Sequence, residues 1–168
     1  MLKIAAAVGF IATILAANYV TTEYGMVPVG FGLVATAGTY FAGLAFILRD
    51  LIQDTSGRRA VLALIVAGAA LSYAISDPFI ATASAVAFLL SEGADFAVYT
   101  PLRRRGYIRA AFASNLVGSV VDTIVFLTIA GFPLRQAFAG QLVGKMAVTG
   151  VVIAGVAAVR YSRRAVTA

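Results

Sequence analysis

The chain has 168 residues, of which 61% are hydrophobic and 12% charged, and its mean hydropathy is +0.96. A soluble domain of this length carries roughly 25% charged residues, so the composition excludes a soluble globular domain, a disordered chain and a nucleic-acid-binding module and leaves an integral membrane protein. Cysteine and histidine are absent, which removes disulfides, thiolate chemistry and histidine-based metal or acid/base sites; the net charge of +6 is therefore read as a topology signal.

Six apolar stretches follow one another, each long enough by helical rise to cross a hydrocarbon core of about 30 Å. They cover residues 4–20, 29–48, 60–76, 79–99, 109–131 and 134–159. The expectation is an all-α polytopic membrane protein, one domain over residues 1–168, with six transmembrane helices in a single bundle. The first stretch has the Lys3, apolar run and small residues of a signal peptide, but it is long for one and reads as a span. The second starts after the break at Met26-Val27-Pro28. Asp77-Pro78 ends the third, Pro101 the fourth, and Phe132-Pro133 the fifth.

Between these stretches the basic residues alternate. Lys3, then Arg49, Arg58 and Arg59, then Arg103, Arg104, Arg105 and Arg109, then Arg160, Arg163 and Arg164 fall on one side, and Arg135 alone falls on the other. Basic residues flanking short loops stay cytoplasmic. Both termini are expected in the cytoplasm and the protein in the cell inner membrane. The Arg103-Arg104-Arg105 run is then an anchor near lipid phosphates, not a nucleic-acid patch.

An ionisable residue at membrane depth is costly unless it is paired, faces a cavity or has a function. Four stand out: Glu92, Asp95, Asp122 and Lys145. Glu92 and Asp95 are three apart and share a helix face, continued by Tyr99. They either take a cation, a proton or a ligand's donors, or they pair with Arg58 or Arg103 to Arg105. Asn115, Gly118 and Asp122 form one stripe flanked by Ser114 and Ser119. Asp122 and Lys145 either form an ion pair across the bundle or line a substrate path. Asp50 and Asp54, read as following the second span, suit an interfacial network with Arg49, Arg58 and Arg59, or a gate. Asn18 with Thr21 to Tyr24 suits a polar mouth. Small residues four apart, such as Gly140 and Gly144, suit close helix packing.

The segment Ala87 to Phe132, with Ser91, Glu92, Asp95, Tyr99, Arg109, Ser114, Gly118, Asp122 and Phe126 in order, resembles the signature of the VUT family, also called the queuosine-precursor transporter family. "RDLIQDTSGRR" after Gly38 and Tyr40 matches that family's second element only in part: Asp50 stands at its Asp, Asp54 replaces its Glu, and Thr55-Ser56 stands where a Tyr is expected. Asn18 resembles its early Ala-Asn, while the Lys expected a few residues later is missing. The resemblance implies a six-helix importer of cyano- or aminomethyl-deazaguanines with no cofactor. The expected substrate-binding residues are Glu92, Asp95, Tyr99, Asn115, Asp122 and Lys145. A carboxylate, Glu92 or Asp122, would accept the two adjacent N–H groups of the guanine-like edge, and Asn115 would donate to its carbonyl. Tyr99, Phe96 or Phe126 would stack on the ring, and Asp95 would steady Arg109 or the pocket wall.

No Gly-rich phosphate loop with a Lys is present, so ATP hydrolysis is not expected of the chain itself. A secondary transporter, the substrate-binding subunit of an energy-coupling-factor importer for a vitamin-like molecule, and a non-transporting membrane scaffold all stay open, as do a homodimer and separate energising subunits. A membrane enzyme fits least, because no nucleophile–base pair or metal-ligand set is recognisable.

Overall fold

The computed structural model describes the backbone of residues 2–166 and the side chains of residues 3–155 and 158. Six helices and one hairpin follow in order: α1 (Leu2–Tyr24), β1 (Met26–Gly30), β2 (Leu33–Thr36), α2 (Thr39–Ser56), α3 (Arg58–Ser72), α4 (Pro78–Arg103), α5 (Tyr107–Ile129) and α6 (Leu134–Val166). The side chains of Arg160, Arg163 and Arg164, counted above as a basic tail, lie outside the described residues.

Local sequence explains the boundaries. Pro28 and the run Gly30-Phe31-Gly32, with φ of 94°, 54° and 71°, turn the chain back on itself where a span starting at Val29 was expected. The strands pair antiparallel, Met26 opposite Thr36 and Val27 opposite Ala35, with an irregularity between Pro28 and Gly30. Ala37 N donates to Gly25 O at 2.9 Å, closing the base of the hairpin, and Gly38 N donates to Thr21 Oγ1 of α1 at 3.0 Å. The second helix therefore starts ten residues later than expected and continues to Ser56, so Arg49, Asp50 and Asp54 lie within it and not beyond it. Gly57, at φ 83°, breaks the chain between α2 and α3. At the start of α4 the Asp77 carboxylate accepts from Phe79 N at 2.8 Å and Ile80 N at 3.1 Å, with Pro78 in the first turn.

Among the described residues four helical segments are long and apolar enough to cross a membrane: Lys3–Tyr24 of α1, α4, α5 and Leu134–Gly155 of α6. The other two differ for physical reasons. α2 carries three charged side chains in its second half, and α3, at 15 residues, rises only about 22 Å.

The packing is inverted relative to a water-soluble bundle. Ile4, Val8, Val66, Phe79 and Val151 are exposed, whereas Arg49, Glu92, Asp95 and Lys145 are buried. Apolar groups facing outward and charges facing inward fit a hydrocarbon surround. One apolar cluster joins Phe10, Ile14, Ala45, Ile52, Val61, Ile65 and Phe88 across α1 to α4, and another joins Ala83, Ala87, Phe126, Leu127 and Ala137 across α4 to α6. Gly140 and Gly144 let α6 close on the hairpin and α2. A Cβ at Gly140 would stand 2.0 Å from Val34 O, and one at Gly144 would stand 2.7 Å from Thr39 Cγ2.

Candidate functional site

A partly open cavity lies among α1, β2, α2, α4, α5 and α6, with about 450 Å³ of space between its walls that includes open solvent. Thr13, Ala17, Asn18 and Thr21 come from α1, Thr36 from the hairpin, and Thr39, Ala42 and Ala45 from α2. Ser84 and Phe88 of α4, Asp122 and Phe126 of α5, and Gln141 and Lys145 of α6 complete the wall.

Asp122 and Lys145 form an ion pair, and both border the cavity. Lys145 Nζ donates to Asp122 Oδ2 at 2.7 Å, Thr123 Oγ1 at 2.8 Å and Gln141 Oε1 at 2.9 Å, which uses all three of its protons. Gln141 in turn donates to Thr36 Oγ1 at 2.8 Å, tying α6 to the hairpin. Asn18 donates to Ser72 Oγ at 3.0 Å. Because Lys145 is neutralised within the wall, the cavity presents a carboxylate, amides and hydroxyls against two aromatic rings, a surface suited to a small flat polar molecule.

Glu92, Asp95 and Asn115 do not line this cavity. Glu92 and Asp95 lie one layer further toward the α2–α3 and α4–α5 turns, against Arg49, and Asn115 is buried on α5 one turn from Gly118. The Arg49 guanidinium, wholly buried, has Asp50 Oδ1 3.0 Å from Nη1 and Glu92 Oε2 3.1 Å from Nε, and it hydrogen-bonds Asp95 through the same Nη1. Asp95 therefore meets Arg49, and the expected partner Arg109 is exposed. Nor do the carboxylates reach Arg103 to Arg105: Arg103 instead grips Asp54 at 2.9–3.2 Å, and Tyr99 OH donates to Asp54 at 2.8 Å. Arg58 stacks over the Phe96 ring at 4.3 Å, so that ring is not available to the cavity.

Arg49 is the residue the sequence reading misses, since it was counted among the loop arginines. The signal lay in Gly30-Phe31-Gly32. Reading a hairpin there moves α2 ten residues onward and puts Arg49 in its second half. Gln141 was missed because a neutral amide in an apolar run gives no charge signal.

No curated protein and no solved structure matches the chain. A family model does match, over residues 75–161, which spans α4, α5 and most of α6 and so includes Glu92, Asp95, Asp122 and Lys145. With that match covering more than half of its length, the chain belongs to the family described as "putative vitamin uptake transporter".

Proposed function

We propose that the protein imports a deazaguanine-type nucleobase, a queuosine precursor, through the cavity bounded by Asp122, Lys145, Gln141 and Asn18. One observation carries this reading: the Asp122 carboxylate stands in the wall of a cavity that also holds the Phe88 and Phe126 rings. Oδ2 is engaged by Lys145, and Oδ1 has no partner among the described residues. Oδ1 can therefore accept from the adjacent N–H groups of a guanine-like edge, strengthened by its charge. Asn18 Nδ2 keeps a second proton for the ring carbonyl, and Phe88 or Phe126 supplies a stacking face. In this reading Asp122 and Lys145 build the substrate site, with Glu92, Asp95 and Asn115 behind its floor and Tyr99 bracing Asp54.

The orientation belongs to the same proposal. In it the four long apolar helices and the shorter or more polar α2 and α3 all cross the inner membrane, with both termini cytoplasmic. Arg58, Arg59 and Arg103 to Arg105 lie at the α2–α3 and α4–α5 turns, and Arg135 lies alone at the opposite end, which supports this sense of insertion.

The test is uptake of radiolabelled 7-cyano-7-deazaguanine into cells expressing the protein, with competitors. Competition by guanine-edged compounds and none by riboflavin or biotin supports the reading. Uptake of riboflavin or biotin without deazaguanine uptake overturns it and leaves a vitamin importer of other specificity.

A further inference from the structure

Each of three helices steps by four residues from the cavity wall to the charged layer around Arg49. On α2 the step runs from Ala45 to Arg49. On α4 it runs from Phe88 to Glu92. On α5 it runs from Asp122 back to Gly118, where a Cβ would meet Asp95 Cβ and Oδ1 at 3.4 Å. Four residues rise about 6 Å, so the charged layer lies directly beneath the cavity floor. The floor is thin: the Phe46 and Phe88 rings stack at 5.3 Å, and the Arg49 guanidinium sits 5.9 Å from the far Phe46 ring.

The layer holds three carboxylates, Asp50, Glu92 and Asp95, against one guanidinium, all 0–1% exposed. Two of the carboxylates, Asp50 and Asp95, converge on a single nitrogen, Arg49 Nη1. Only Asp95 makes an aligned hydrogen bond to Arg49. Both oxygens of Asp50, both of Glu92 and Oδ1 of Asp95 lack a hydrogen-bond donor. Asn115 is an independent sign that this layer lacks something. It lies one turn from Gly118 on the same face of α5, is fully buried, and has neither Oδ1 nor Nδ2 bonded; Ser119 Oγ beside it is also unbonded. Buried carboxylates that crowd one cation cannot all stay ionised, and a shared proton is the usual resolution. The described residues hold no grouping suited to a metal ion.

We propose that the Arg49–Asp50–Glu92–Asp95 cluster is a proton site coupled to the cavity. It holds one exchangeable proton, carried as a carboxylic acid between Asp50 and Asp95, and protonation and release alternate with substrate loading and release. Among the described residues one further cation, Arg58, acts on the layer, through Glu92, which still leaves one carboxylate in excess. On α2 there is Asp54, engaged by Arg103. On α3 Arg58 stacks on Phe96. On α4 Tyr99 donates to Asp54. On α5 the groups beside the layer, Asn115 and Ser119, are neutral, and Asp122 one turn on is paired with Lys145 of α6. A proton taken up from the outer side and released inside with the substrate balances the carboxylate charge at each step. The coupling rests on the transporter reading above; the proton site itself does not.

Two measurements test it. The first is infrared spectroscopy of the purified protein in lipid at neutral pH. A carbonyl band of a protonated carboxylic acid is expected in the wild type and is expected to disappear in Asp50→Asn. Its absence from the wild type overturns the proposal whatever the cargo is. The second uses wild-type proteoliposomes with a pH dye inside and labelled 7-cyano-7-deazaguanine outside. Uptake is expected to acidify the lumen, and an imposed pH gradient is expected to drive accumulation at least tenfold. Asp50→Asn is expected to keep substrate exchange at equal pH while losing accumulation. Undiminished accumulation in Asp50→Asn, uptake without lumen acidification, or accumulation driven only by sodium or by ATP overturns the proposal. Should deazaguanine fail to bind at all, the substrate reading fails alone and the infrared band still decides the proton site.

Discussion

Lys145 on α6 and Asp122 on α5 form an ion pair at 2.7 Å in the cavity wall, with the lysine wholly buried. The pair has two consequences. It neutralises the cation, so the cavity's exposed chemistry is acceptor-rich. It also makes the two residues interdependent in stability. Removing one partner of a buried pair leaves an uncompensated charge and costs about 3–5 kcal/mol, whereas replacing both by neutral groups of similar volume is far less costly. Lys145→Met is therefore expected to lower the melting point of the detergent-solubilised protein strongly, and Lys145→Met with Asp122→Asn to recover most of the loss. Equal destabilisation by the single and the double variant would contradict the pairing.

Arg49 serves three carboxylates at once. Lysine offers a single point charge and cannot reproduce the fork that faces Asp50, Glu92 and Asp95 from two of its nitrogens. Arg49→Lys is expected to give little monodisperse protein by size-exclusion chromatography, and adding Glu92→Gln is expected to restore part of the yield by lightening the negative excess. A wild-type yield for Arg49→Lys would show that the guanidinium geometry is dispensable.

Glycines provide an internally controlled comparison. A Cβ at Gly38 would stand 2.2 Å from Ala17 O, where α2 begins beside α1, so Gly38→Ala forces those elements apart. A cost of about 1–3 kcal/mol is typical of such overpacking. Gly93, inside α4, has nothing within 4 Å of its Cβ position, so Gly93→Ala is expected to be neutral or stabilising by up to about 1 kcal/mol. Thermal unfolding of the two variants checks the sign of each.

Tyr99 gives one hydrogen bond to Asp54, which keeps its contacts to Arg103 when that bond is lost. A hydrogen bond to a charged group is worth about 1.5–3 kcal/mol. Tyr99→Phe is expected to cost no more than this by thermal unfolding and to leave substrate affinity within twofold. A large loss of affinity would return Tyr99 to the substrate site.

The helical, membrane-type architecture was legible because hydropathy and charge alternate over the whole chain, and α4, α5 and α6 fall close to their expected positions. The second span was misread because Val29 to Val34 is as apolar as a helix. Only the conformation demanded by Gly30-Phe31-Gly32 distinguishes it, and a hydropathy count does not register that. Glu92, Asp95, Asp122 and Lys145 were visible as charges out of place, but how they divide into two layers was not. The division depends on which helix packs against which, and it turns on Arg49, whose burial followed from the shifted start of α2. Gln141 and Thr36 belong to the cavity through contacts 105 residues apart in the chain, beyond the reach of any local pattern.

The most direct test of the central claim is the affinity of purified, lipid-reconstituted protein for 7-cyano-7-deazaguanine in the wild type and in Asp122→Asn, with the unliganded melting curves recorded to confirm folding. Loss of a charge-assisted contact worth about 1.5–3 kcal/mol predicts saturable binding to the wild type that weakens roughly 10- to 150-fold in Asp122→Asn. No binding to the wild type, or unchanged affinity in a folded Asp122→Asn, would contradict the assignment of the cavity as the deazaguanine site.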